Sequence, residues 1–119
     1  MSYVLVFLGG GVGSVLRYLI SLWVPYHEGN FPYATLVANI VSSFLLGMMV
    51  GLVTKNELMV QHRLLLMTGL CGGFSTFSTF SAESLVLFQK GQTIMAISYI
   101  LISVILGIAS VFIGLKLAT

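Results

Sequence analysis

The sequence predicts an all-α integral membrane protein with four transmembrane helices. The chain has 119 residues, of which 58% are hydrophobic and only 7% charged, whereas a soluble domain carries about 25% charged residues. A soluble chain of this length has too little interior to hide that much apolar surface from water. Four apolar stretches are each about as long as the roughly 20 residues that a helix needs to cross a bilayer. Lipid is therefore the expected solvent along most of the chain.

Composition also argues against several classes of function. The net charge is +2 and no basic cluster is present, which argues against nucleic acid as a partner. The single cysteine, Cys71, excludes an internal disulfide and a cysteine-rich metal site. The sequence has no aspartate and shows no nucleophile–base pair, so we do not expect an enzyme.

The four apolar stretches and their connections predict one transmembrane domain over residues 1–119. The first stretch holds one charge, Arg17, and the third holds Glu83 near its far end, whereas the second and fourth are uncharged. The connections are polar and shorter than about 15 residues, which leaves no room for a second domain. The expected spans are residues 3–24, 33–53, 64–88 and 93–115.

The Lys and Arg residues on the two sides of the membrane hardly favour one orientation of the chain. Four spans put Lys55, Arg63 and Lys116 on one side, and Lys90 on the other, together with Arg17 if it reaches that way. Because the excess of Lys and Arg sets the orientation of a membrane protein, so small a difference permits insertion both ways round. The alternative is that a single charge is enough to fix one orientation.

Small residues recur four apart, a spacing that lets helix backbones approach closely in lipid. The sequence alone does not say whether these contacts lie within one chain or between two. Four helices make a thin bundle with little interior, so a homodimer is expected. The pairs are Gly9 and Gly13, Gly47 and Gly51, Gly69 and Gly73, and Ser103 and Gly107.

The third span has a composition that favours a broken helix. Gly72 and Gly73 each cost about 1 kcal/mol in a helix relative to alanine. In hydrocarbon, irregular backbone is tolerated only inside protein or beside a water-filled cavity, where free carbonyls suit a cation and free amides and hydroxyls suit an anion. We therefore predict a break that forms an ion site; the alternative is an unbroken helix whose hydroxyls bond one turn back. The hydroxyl residues are Ser75, Thr76, Ser78, Thr79 and Ser81.

Five other side chains in the spans have two possible interpretations each. Phe77 and Phe80 share a helix face and either offer weakly positive ring edges to an anion or fill packing gaps. Asn39 is the one amide deep in the second span, where it either bonds between helices or donates to an ion. Tyr99 is an interface anchor or an inward hydroxyl. Arg17 snorkels to the headgroups or attracts anions to a pore mouth.

Three segments together resemble one known family. They read GGGVGS at residues 9–14 followed by Arg17 and Tyr18, NFPYATL at 30–36 followed by Asn39, and GLCGGFSTFSTFSAE at 69–83. Through them the chain resembles the Fluc/CrcB fluoride channels over essentially its full length. The resemblance implies a fluoride-selective channel of the bacterial inner membrane that exports cytoplasmic fluoride passively. The alternative function is a small proton-coupled multidrug efflux transporter, which needs a membrane-embedded carboxylate.

The resemblance also implies an assembly and a set of site residues. Members of the family are antiparallel, dual-topology homodimers with two fluoride pores and one structural sodium ion on the two-fold axis. Backbone carbonyls of Gly72 and Ser75 from both subunits would hold the sodium; Ser75 stands where threonine is familiar, a change to which a carbonyl is indifferent. The implied fluoride-pathway residues are Asn39, Phe77, Phe80, Ser78, Thr79 and Tyr99, with Arg17 in an aqueous vestibule.

Overall fold

A computed structural model describes all residues, Met1–Thr119, and is helical throughout with no strand. Four helical stretches are long and apolar enough to cross a membrane, which confirms the predicted fold class at that level. The third stretch begins at Val60, earlier than the expected start at residue 64. The four stretches are Ser2–Trp23, Tyr33–Thr54, Val60–Gln89 and Thr93–Ala118.

We label the helices in chain order. The first two stretches are the continuous helices α1 and α2, and the last is α6. The third stretch comprises α3 (Val60–His62), the π-helix π1 (Arg63–Cys71), α4 (Gly72–Phe74) and α5 (Phe77–Gln89). We refer to α3, π1 and α4 as the first half of the third span, and to α5 as its second half.

The connections turn at residues that accept left-handed backbone. Gly29 and Gly91 have φ of 89° and 76°, and Asn56 has φ of 58°. Glycine adopts these angles without a steric penalty, and asparagine tolerates them better than most residues. The turns bring the connection after α1 against the one after α5, where Lys90 Nζ lies 3.8 Å from Glu28 Oε2.

Backbone-to-backbone contact holds the bundle in two pairs, with α1 along π1 and α4, and α2 along α6. A Cβ on Gly13 would collide with the carbonyl of Leu70 and the amide of Phe74, and one on Gly73 with the backbone of Gly10. Gly47 faces the backbone of Val111 in the same way. The glycine pairs therefore make close contacts within one chain.

The backbone leaves the helix at Ser75 and Thr76, whose φ and ψ are −81° and 159°, and −151° and 118°. Gly72 and Gly73 are themselves helical. The sequence predicted a break around Gly72, Gly73 and the run that starts at Ser75; a Cβ on Gly73 would collide with the backbone of Gly10, which explains the glycine there. The extended residues follow immediately after α4.

The interior is small, since only 19 of 119 residues are buried. The buried hydrophobic cluster joins α2, α5 and α6, and most other large apolar side chains face outward, as lipid-facing residues do. Its members are Leu36, Leu87, Ala96 and Tyr99.

Gly13→Ala tests the contact between α1 and the third span. The added methyl group has no room against the Leu70 and Phe74 backbone, and overpacking of this kind costs about 1–3 kcal/mol. We expect a lower melting temperature of the purified protein in detergent. Gly11→Ala is the matched control, because a Cβ there meets nothing within 4 Å; equal melting temperatures for the two variants would contradict the packing.

Candidate functional site

The side-chain amide of Asn39 forms hydrogen bonds to the backbone where the third span leaves the helix. Its Oδ1 accepts a hydrogen bond from the Thr76 backbone N–H at 2.8 Å, and its Nδ2 donates to the Thr76 carbonyl at 3.2 Å. Both backbone polar groups of an extended residue are thereby paired without water, as a membrane interior requires. Since an amide nitrogen carries two hydrogens, one remains free after this pairing. Asn39 can therefore bond between helices and still have one hydrogen available for an ion.

Hydroxyls near the extended residues complete the pairing of backbone groups. Thr76 Oγ1 accepts from the Thr79 N–H at 3.1 Å and so caps the start of α5, a role that threonine fills well. The Cys71 carbonyl accepts hydrogen bonds from Ser75 Oγ at 2.9 Å and from Ser42 Oγ at 3.3 Å. These bonds assign part of the hydroxyl run to local structure.

Arg17 reaches the same region from α1. Its Nε donates to the Gly73 carbonyl at 3.3 Å, close to the C-terminal end of α4, where a positive charge is favourable. Arg17 also lines a cavity of about 330 Å³ that contains Thr79 and Glu83. The guanidinium therefore lies at the backbone of the third span and beside a polar cavity.

The carbonyls of Gly72 and Ser75, like that of Phe74, have no hydrogen-bond donor in the structure. Neither accepts any of the side-chain hydrogen bonds or the loop and cap bonds. A Cβ on Gly72 would meet nothing within 4 Å, and the residue is exposed on the surface of the single chain. These two carbonyl oxygens are thus free to accept further partners.

Aromatic rings form a row from the surface to the core. Phe77 is 79% exposed and its ring centroid lies 6.0 Å from that of the half-buried Phe80. Phe80 lies 5.1 Å from Tyr99, which is fully buried and meets Phe31 edge-on at 5.4 Å. Tyr99 therefore points inward and is not an interface anchor.

An open groove of about 270 Å³ runs beside this row. It brings together three of the sequence-predicted pathway residues, Asn39, Phe77 and Phe80, and Ser75. Thr76 lines both this groove and the cavity of Arg17, so the two spaces adjoin the same residue. The groove is lined by Asn39, Ser43, Ser75, Thr76, Phe77, Phe80, Ser103, Val104 and Gly107.

The remaining predicted pathway residues lie apart from the groove. Thr79 lines the cavity of Arg17, while Ser78 is exposed, and its Oγ lies 3.4 Å from Thr76 Oγ1. Tyr99 is buried behind Phe80 and lines neither space. The site residues thus divide between the groove, the cavity and the core behind them.

Glu83 is a site residue that sequence reasoning missed, because its place near the end of the span suggested only the membrane edge. It is 9% exposed, and its Oε1 and Oε2 accept hydrogen bonds from Tyr99 and Thr35, each at 3.0 Å. A carboxylate this buried needs such donors. The available signal was that Glu83 is the only acid in any span.

Comparison with known proteins gives one family over nearly the whole chain. The family model described as "CrcB-like protein, Camphor Resistance (CrcB)" matches residues 4–115. The chain is 45% identical over 119 residues to a protein of Agrobacterium fabrum, covering 98% of this chain and 95% of the relative. It is 47% identical over 116 residues to a protein of Phocaeicola vulgatus, covering 96% and 95%. Both relatives are named "Fluoride-specific ion channel FluC".

Asn39→Ala tests the hydrogen bonds between the Asn39 side chain and the Thr76 backbone. The variant leaves a backbone N–H and carbonyl unpaired in a membrane interior, and each unsatisfied group costs about 1–3 kcal/mol. We expect a clear fall in melting temperature in detergent. An alanine variant as stable as the wild type would contradict this role.

Proposed function

The chain belongs to the CrcB-like family, and from that membership we propose that it is a fluoride-selective channel that lets cytoplasmic fluoride leave the cell passively. The observation that carries the proposal is near-full-length similarity to proteins named as fluoride-specific ion channels. As a member of a channel family it is not an enzyme, and it is a multi-pass protein of the bacterial inner membrane. Family membership does not favour the proton-coupled multidrug transporter.

The groove beside Asn39, Phe77 and Phe80 supports a path for an anion without a full positive charge. The edge of a phenyl ring is weakly positive, and the second amide hydrogen of Asn39 is available to an ion in the groove. Conduction requires binding that is favourable enough to enter and weak enough to leave. Weak donors of this kind meet both requirements better than a lysine or arginine beside the groove.

The pathway continues from Thr76 into the cavity of Arg17 and Thr79, with Ser78 and Tyr99 nearby. Thr76 borders both spaces, and in this proposal an ion moves past it from one to the other. The Arg17 charge at the cavity raises the local concentration of anions. We assign Arg17 to the aqueous vestibule and the hydroxyls to the polar track, as the sequence resemblance implies.

A second copy of the chain completes the groove in this proposal. Phe77 exposes 79% of its surface, and the groove is open on one side, so a single chain does not enclose an ion. The nearly balanced Lys and Arg counts on the two membrane sides are compatible with an antiparallel, dual-topology homodimer. Two such copies would form two equivalent pathways.

A sodium ion at the dimer axis fits the two free carbonyls of Gly72 and Ser75. Hard cations prefer oxygen ligands, and these oxygens take no other hydrogen bond from side chains, loops or caps. Gly72 lies on the surface that a second copy would cover. When bound, the ion would supply positive charge that ties together the two subunits' carbonyls.

The direction of flow follows from acid–base chemistry. Hydrogen fluoride is a weak acid that crosses lipid and dissociates in a more alkaline cytoplasm, which traps the anion. A selective pore lets the trapped anion flow down its electrochemical gradient. Neither ATP nor coupled proton movement is needed.

Fluoride efflux from liposomes tests the function. Purified protein reconstituted in fluoride-loaded vesicles should release fluoride, read by a fluoride electrode, and hardly any chloride. Phe77→Ile with Phe80→Ile should slow release strongly, because isoleucine lacks the weakly positive ring edges that favour the anion, while dimers still form.

Three results would contradict the channel. Equal fluoride and chloride release from the wild type would remove selectivity. Unchanged release from the double isoleucine variant would remove the rings from the pathway. Export of a lipophilic cation driven by a proton gradient would favour the multidrug transporter.

Removal of sodium tests the structural ion. Protein purified and reconstituted with N-methylglucamine in place of sodium should form fewer dimers and release less fluoride, because carbonyl oxygens would face each other without a cation between them. Ser75→Ala keeps the carbonyl and should retain the sodium dependence. Full dimerisation and full flux without sodium would contradict the proposal.

A further inference from the structure

Tyr26 has a hydroxyl that the protein itself leaves without a partner. The residue lies in the connection between α1 and α2 and lines the same cavity as Arg17, Thr35 and Thr79. Its hydroxyl oxygen is buried within the single chain and makes no hydrogen bond there. An unsatisfied buried hydroxyl destabilises a fold, so its presence here calls for a partner from outside the chain.

Three other hydroxyls around the cavity, those of Ser21, Thr35 and Thr76, already take part in hydrogen bonds within the chain. Ser21 donates to the Tyr18 carbonyl at 2.5 Å, and Thr35 donates to Glu83 at 3.0 Å. Thr76 Oγ1 is occupied by the N–H of Thr79. Tyr26 therefore supplies a buried donor that is not committed to another group in the chain.

Tyr26 remains a proton donor in this environment. Burial raises the pKa of its phenol above the usual value, and the nearby carboxylates of Glu83 and Glu28 raise it further. Both oxygens of Glu83 already accept a hydroxyl, and Tyr26 bonds to neither. The phenol is thus neutral, and its hydroxyl hydrogen is available for a hydrogen bond.

We propose that the Tyr26 hydroxyl donates a hydrogen bond to a fluoride ion in the cavity of Arg17 and sets how strongly the anion is held there. The inference rests on the proposed function and adds a residue to it. Arg17 contributes the one positive charge among the lining residues, and it attracts anions in general. The phenol adds a directed donor.

A directed neutral donor favours fluoride for a chemical reason. Fluoride is a small anion that holds its water tightly, so a dehydrating site has to return hydrogen bonds to it. A hydrogen bond to a charged acceptor is about twice as strong as one between neutral groups. Chloride is larger and gains less from one short O–H contact, so Tyr26 contributes to selectivity as well as to rate.

Tyr26→Phe tests the inference through two readouts. Below saturating fluoride, efflux from liposomes should fall about tenfold, the effect of losing one hydrogen bond to an anion. The melting temperature in detergent without fluoride should stay the same or rise, because no bond within the protein is lost. Tyr33→Phe is the matched control, because Tyr33 is 59% exposed at the start of α2, which follows the connection that holds Tyr26. Neither readout should change in this variant.

Each other outcome overturns the inference. Unchanged efflux from Tyr26→Phe means that the anion does not use the phenol. Slower efflux together with a lower melting temperature means that the hydroxyl has a structural partner instead. A wild-type protein that releases no fluoride overturns the proposed function, and the inference falls with it. A conducting wild type with an unaffected Tyr26→Phe variant overturns only the role of Tyr26.

Discussion

The pairing of the Asn39 amide with the Thr76 backbone is the interaction on which the rest of the site depends. Lipid supplies no hydrogen bonds, so extended backbone in a span has to be satisfied by protein groups. One side chain on α2 does this for both polar groups of Thr76. With the backbone held there, Ser75 and Gly72 keep their carbonyls free, and α5 begins with its Thr76 cap in place.

Close glycine contacts and Arg17 bring the other side of the site together. Gly13 and Gly73 let α1 lie directly on π1 and α4, and this approach puts Arg17 within reach of the Gly73 carbonyl. The cavity that contains Tyr26 then forms between α1, α2 and α5. Packing and site geometry are therefore two results of the same helix contact.

The sequence predicts four helices long and apolar enough to span a membrane, because apolar length is a local property. It predicts irregular backbone in the third span, yet the residues that leave the helix are Ser75 and Thr76, because contacts with Gly10 and Asn39 decide the position. The partners of Glu83 come from α2 and α6, and no sequence spacing links them. The π-helix at Arg63–Cys71 has ordinary helix-forming residues and left no signal in composition.

The exposed ring of Phe77 has a consequence for how the protein is made. In the proposed homodimer, a newly synthesised chain would enter the bilayer before it meets a second copy, and the exposed Phe77 would meanwhile face acyl chains. A phenyl ring is at home in hydrocarbon, whereas an arginine or lysine at the same depth is strongly penalised. The proposed anion path, built from ring edges, would thus permit ordinary insertion of a lone subunit before it assembles with a second copy in the membrane.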